Sequence, residues 1–150
     1  PHQARQIKPT LAFNFAKNIP VIATSQIYSG QKNRKKDKDL EDIVFCDIPW
    51  VLNNNAMRKK IHTLWPNTRN SLDRLYALGL DAYQLYPKLG QIKALKNSNV
   101  QGQTGQLAMD PYGQIMRNLP FAQFMKGQAK KIQAPLVFNR DSHAQPIQEL

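Results

Sequence analysis

The order of apolar and polar positions divides the chain into alternating helical and extended stretches. Residues 3–17, QARQIKPTLAFNFAK, place Ile7, Leu11 and Phe15 on one stripe at helical spacing, and Pro9 predicts a kink or restart within it. The next run, IPVIATS at 19–25, is short and apolar almost throughout, as a strand covered on both faces requires. A charged stretch over 31–42 separates it from a second strand of the same kind, DIVFCDIPW at 42–50. Helix followed by buried strand is the beat of a parallel α/β layer. Residues 53–65 then read as a helix, with Asn54 or Asn55 as its cap and Pro66 closing it.

The longest helical pattern spans 68–95, where Leu72, Leu75, Tyr76, Leu80, Tyr83 and Tyr86 recur at three- and four-residue steps. Asn70 or Ser71 is its expected cap. Gly79 predicts the close approach of another backbone, the three tyrosines read as core, and Pro87 predicts a bend before a second segment bearing Leu89, Ile92 and Leu95. Directly afterwards, GQTGQLAMDPYGQIMRNLPFAQF (102–124) reads as a hairpin. Asp110, Pro111 and Gly113 occupy the first, second and fourth places of a type I turn, while Leu107 and Met109 on one arm, and Ile115 and Leu119 on the other, alternate as half-buried strands do. Another short strand follows at 119–128, which Pro120 confines to an edge or a strand start. The tail 129–150 contains a further apolar run, PLVFN, with no predicted place.

Composition changes this picture in few respects. A chain of 150 residues, 41% of them hydrophobic, suffices for one modest core. No apolar run approaches the roughly 18 residues a spanning helix needs, and the opening residues lack the apolar centre of a signal peptide. A first residue that is Pro, running straight into a patterned helix, suggests a fragment or processed form. The single Cys46 sits inside a predicted strand as a small apolar filler and cannot build a disulfide or a thiolate metal cluster. His2, His62 and His143 are far apart, without metal-ligand spacing, and receive no chemistry.

The formal charge of +11 invites a nucleic-acid reading, which its distribution weakens. The densest run, 31–42, mixes five bases with four acids and reads as a solvated loop; shorter knots lie at Arg58, Lys59 and Lys60 and at Lys126, Lys130 and Lys131. No aromatic stacking platform accompanies them, so nucleic acid is not the expected partner, and an acidic protein face, an anionic wall polymer or lipid head groups fit the charge equally. Catalytic signatures are missing too. No Ser-His-Asp elbow is present, and the glycine pair of GQTG precedes a strand instead of a helix, which is the wrong context for cradling phosphate. The expectation is a non-enzymatic protein with no cofactor and no metal. Ligands of a parallel sheet gather outside its strand ends, which singles out Ser25, Gln26, Tyr28, Asp47 and Trp50 as candidates for a cleft gripping a small polar ligand.

Taken together, RLYALGLDAYQL (74–85), the stretch 102–127 and VIATSQIYSG with DIVFCDIPW resemble the C-terminal domain of the LpoA lipoproteins, outer-membrane-anchored activators of a class A penicillin-binding protein. The helix with G-x-D-A-Y, then G-x-T-G-x-L, a turn and an R-x-L return strand is also similar to type I periplasmic solute-binding proteins. The resemblance covers residues 1–128 and implies part of a two-lobe α/β fold with parallel-sheet layers and a β-hairpin near the lobe crossing. It implies that 1–66 belong to one lobe, 67–101 form a helical segment of the other, 102–128 are hairpin and crossing strand, and 129–150 stay unplaced. By the same resemblance, the function is regulation of peptidoglycan synthesis on the periplasmic face of the outer membrane, with the synthase as partner and a lipid anchor outside these residues. A periplasmic small-solute-binding module is the alternative, ahead of a basic nucleic-acid-binding domain.

Overall fold

The chain is built around one parallel strand pair extended on its other side by antiparallel strands. In this computed structural model residues 2–68, 72–94 and 98–135 are described. Helix α1 (Ala4–Phe13) leads into β1 (Ile22–Ala23), a four-residue helix α2 (Arg34–Asp37), a 3-10 turn at Lys38–Leu40, and β2 (Val44–Cys46). Strands β1 and β2 run parallel, Ile22 opposite Val44 and Ala23 opposite Phe45. This is the expected helix-to-strand beat, although both strands are shorter than the apolar runs. The second run stops early because Pro49, with its preset φ, opens α3 (Pro49–Leu52) and carries Trp50 onto a helix.

Helix α4 (Ala56–Leu64) begins where expected, because the Asn55 side chain accepts the Arg58 N–H at 3.1 Å. The long pattern becomes α5 (Asp73–Leu85), a 3-10 turn at Tyr86–Lys88 and α6 (Leu89–Ala94), so Pro87 does bend it. Its expected caps, Asn70 and Ser71, lie outside the described residues. Two readings of this helix are corrected. Tyr83 and Tyr86 are 81% and 80% exposed, and only Tyr76 lies against the core; nothing stands within 4 Å of a Cβ placed on Gly79. The helix buries Asp73, Ala77, Asp81 and Leu85 instead, a four-residue repeat that hydrophobicity alone does not show.

Strands β3 (Asn99–Gln101), β4 (Gln106–Met109) and β5 (Ile115–Asn118) form a three-stranded antiparallel sheet. The β4–β5 turn is the expected one. Asp110 Oδ1 accepts the N–H groups of Tyr112 and Gln114, the Gly113 N–H bonds Asp110 O at 3.0 Å, and Gly113 takes φ +83°. Leu107 is buried as its alternation requires, whereas β5 is exposed throughout. After Leu119 and Pro120 the chain enters β6 (Phe121–Met125), which pairs antiparallel with β2 and then with β7 (Gln128–Ile132), giving the order β1-β2-β6-β7. Pro120 thus stands before a strand start, as expected, but β6 is interior and not an edge. The first residues of the tail form β7, and most of PLVFN lies outside the described residues.

The core sits between this four-stranded sheet and the helices. Phe45 and Phe124 stack with ring centroids 5.0 Å apart, Tyr28 meets both, and Leu40, Ile43, Ile48, Trp50, Val51 and Ile61 close round them. The charged run 31–42 is therefore only partly a solvated loop, since it delivers Leu40 into the core and buries Asp37 against Arg5 at 2.8 Å. Helix α1 ends before Phe15, which leaves the predicted stripe and stands fully in solvent at φ +58°. Cys46 is half-buried and free.

Gly105 carries a specific steric demand, because it adopts φ +141° and a Cβ there would lie 2.5 Å from the Asn118 carbonyl oxygen. Gly105→Ala is expected to cost more than about 1 kcal/mol, read as a lower denaturation midpoint, while Gly79→Ala, in open helix, stabilises by up to about 1 kcal/mol.

Candidate functional site

The buried face of α5 is chemically unusual, since two of its four buried positions are carboxylates. Each must be paired, because an isolated ionised carboxylate in a dry interior is prohibitive. Asp73 Oδ2 accepts from Arg58 Nε at 2.9 Å and Nη2 at 2.6 Å, and its Oδ1 lies 2.6 Å from His62 Nε2. The same Arg58 Nη2 donates to the Gly30 carbonyl at 2.9 Å. One carboxylate thereby binds α4, α5 and the loop after β1 together. One residue along, Arg74 reaches the other way. It donates to both oxygens of the buried Asp47, at 3.2 and 2.6 Å, and to the carbonyls of Ser25 and Tyr28, each at 3.1 Å.

Two turns further on, Asp81 does the same for the second sheet. Its Oδ1 accepts the Gln103 N–H at 2.6 Å, and Oδ2 accepts both the N–H and the hydroxyl of Thr104, at 2.7 and 2.6 Å. Those donors belong to GQTG. The motif does cradle an anion, but the anion is the protein's own carboxylate. Gly102 is required for the approach, since a Cβ there would stand 2.6 Å from Asp81 Oδ2.

Environment sets these acids apart. Burial pushes the Asp47 carboxyl above its ordinary value, against the opposing pull of Arg74 and the Ile48 N–H. Asp73 feels the same burial, yet the hydrogen bonds and charges of Arg58 and His62 outweigh it and hold the group below the usual carboxylate range. Burial also raises the Tyr28 phenol.

Two hollows flank this polar clasp. On one side Leu78, Ala82, Leu85 and Leu89 face Leu107 and Ile115 across an open apolar groove of about 350 Å³, with Arg117 at its edge. This geometry can receive apolar side chains beside a cation. On the other, Gly30, Gln31, Asn53, Asn54, Asn55 and Lys59 ring a polar hollow of about 250 Å³. None of the five residues expected to grip a ligand lines either hollow. Trp50 is 0% exposed, Tyr28 and Asp47 are buried, Ser25 is half-buried and contributes its carbonyl to Arg74, and Gln26 alone is exposed. Sequence reasoning missed Asp73, Arg74, Asp81 and His62. The available signal was the spacing of Asp73, Ala77 and Asp81 on one helix face, set against the leucines.

Comparison with known proteins gives consistent results. The family described as LppC putative lipoprotein matches residues 1–127. A Photobacterium profundum relative named penicillin-binding protein activator LpoA is 34% identical over 110 residues, covering 70% of this chain and 18% of the relative. The chain thus spans about a fifth of the length of the curated relative it matches. Among solved structures, the C-domain of Haemophilus influenzae LpoA, titled a regulator of PBP1A, superposes with TM-score 0.75 at 23% identity, over 89% of this chain and 42% of that one. A Chromobacterium violaceum protein titled a putative branched-chain amino acid ABC transporter superposes with TM-score 0.56 at 26% identity, over 82% of this chain and 39% of its own. The fold is therefore the periplasmic-binding-protein-like α/β arrangement, present in part.

The Asp73 cluster has a measurable signature. A carboxyl held below its unfolded value contributes stability that is present above the ordinary carboxylate range and lost as pH falls through the lowered value. Asp73→Asn is expected to cost about 3–5 kcal/mol at neutral pH and to flatten this acid-side loss; urea denaturation from neutral pH down to the acid limb reads both. Asp47, raised, has the opposite sign, so Asp47→Asn does not flatten that limb.

Proposed function

We propose, on the premise that this chain belongs to the LppC putative lipoprotein family, that it is part of a regulator that binds and activates a class A penicillin-binding protein at the periplasmic face of the outer membrane. The observation that carries this reading is the family match over residues 1–127, joined to curated relatives named as activators of such enzymes. The site chemistry supports a holding role. The carboxylates Asp47, Asp73 and Asp81 are each engaged in clasping elements of the fold.

Activation by a non-catalytic partner requires only differential affinity. Docking that favours the working state of the synthase raises that state's population by the ratio of the two affinities, and no group on the activator needs to touch the reacting glycan. A scaffold clasped by buried ion pairs suits this role, because the docking face does not have to be ordered at the moment of binding. In the same reading, residues 1–66 and 67–101 belong to different lobes, 102–128 join them, and a lipid anchor elsewhere in the whole protein holds the assembly to the membrane.

The test is glycan-strand polymerisation by the purified synthase with increasing amounts of the full chain, beside affinity capture of the two. A saturable rise in polymerisation together with capture is expected. Capture without any rise would reduce the role to binding, and the absence of both would remove the reading.

A further inference from the structure

Two lysine-rich stretches that are remote in sequence share one face of the folded chain. The Glu41 carboxylate accepts the N–H groups of Lys126 and Gly127, at 2.7 and 3.2 Å, and so seats the β6–β7 turn on the loop before β2. Gly127, at φ +66°, approaches so closely that a Cβ would stand 2.6 Å from the Arg34 carbonyl oxygen. In the amide orientation that satisfies both groups, the Gln128 side-chain oxygen accepts from the Arg34 guanidinium. Arg34, Lys35, Lys36 and Lys38 are thereby brought beside Lys126 and Lys130. The acids of the run offset this charge only in part: Asp37 is paired with Arg5, and Asp39, Glu41 and Asp42 stand against Arg34, Lys35, Lys36, Lys38, Lys126 and Lys130.

The same loop holds α1, through Arg5–Asp37 and the packing of the helix on Lys38–Leu40. At the end of that helix and two residues beyond it, two aromatic rings stand in water, Phe13 85% and Phe15 101% exposed, with Lys8 and Lys17 nearby in sequence. Phe15 is held out by a left-handed backbone conformation that a β-carbon disfavours. Cations alone would suit any polyanion. Exposed phenylalanines on a helix packed against the same loop suit a partner with an anionic surface above an apolar interior, because their rings are buried at the headgroup boundary of a bilayer.

We propose that the face formed by the loop 31–42, the β6–β7 turn and the end of α1 is a peripheral docking surface for a bilayer bearing anionic phospholipids. The lysines are drawn to the headgroup phosphates, and Phe13 and Phe15 enter between them. This goes beyond activation of a synthase, and its test needs no synthase, so either can fail alone.

The test is co-sedimentation of the full chain with vesicles of phosphatidylcholine, alone or mixed with phosphatidylglycerol, over a range of salt. Binding is expected only to the anionic vesicles and is expected to weaken as salt rises. Lys35→Gln with Lys36→Gln is expected to weaken it about fivefold per lysine, and Phe13→Ser with Phe15→Ser to weaken it further, both with unchanged melting temperature because these side chains are exposed. Lys88→Gln with Lys93→Gln, in the 3-10 turn before α6 and on α6 itself, should leave vesicle binding as it was. Equal binding to neutral vesicles, indifference to the phenylalanine changes, or a loss as large from the Lys88 and Lys93 changes would each overturn the proposal. So would affinity for a soluble polyanion such as heparin that matches the affinity for vesicles.

Discussion

A carboxylate cannot be left bare in a dry interior, and α5 carries two of them on its buried face. Much of the arrangement follows from how they are satisfied. Asp73 draws Arg58 and His62 from α4, and Asp81 draws the backbone of the turn before β4. Arg74, between them, completes the set by reaching the buried Asp47 at the end of β2. Charged pairs contribute little net stability once desolvation is counted, yet breaking one is severe. They act as registration marks. A leucine on this face could slide by a turn at modest cost, whereas a bidentate Arg–carboxylate pair admits one position.

The hairpin gains its meaning from this constraint. Its first arm begins at the Asp81 cradle, its turn is closed by Asp110 and Gly113, and its return arm runs through Leu119 and Pro120 into β6, the centre of the other sheet. The hairpin therefore connects a sheet fixed to α5 with a sheet fixed to the aromatic core. A slip of one residue in β4–β5 would invert Leu107 out of its buried place and carry the error into the pairing of Phe45 with Ala122. Well-specified turn chemistry at this point protects two sheets at once.

Much of the architecture was legible in the residues. The parallel pairing of β1 with β2, the Asn55 cap, the bend at Pro87 and the Asp-Pro-x-Gly turn rest on local rules that tertiary context did not overrule. The misreadings share a cause. Tyr83 and Tyr86 fit the helical stripe but face solvent, because the stripe that is buried carries aspartates, and a periodicity of apolar residues cannot register a charge paired across 11 to 23 positions of sequence. Trp50 looked like a loop residue because Pro49 could be taken as the end of a strand as well as the start of a helix. GQTG looked empty because its anion lies about twenty residues upstream and belongs to the chain itself.

The separation of polar and apolar surfaces bears on what the fold can be used for. The chain directs charge internally at Asp47, Asp73 and Asp81, where it fixes elements of the fold against one another. Where it meets solvent, it presents an open apolar groove beside α5, and Phe13 and Phe15 stand exposed at the end of α1. An enzyme concentrates unsatisfied polar groups where a substrate sits, because catalysis requires groups free to respond to developing charge. The three buried aspartates Asp47, Asp73 and Asp81 are instead each held by several donors of the fold.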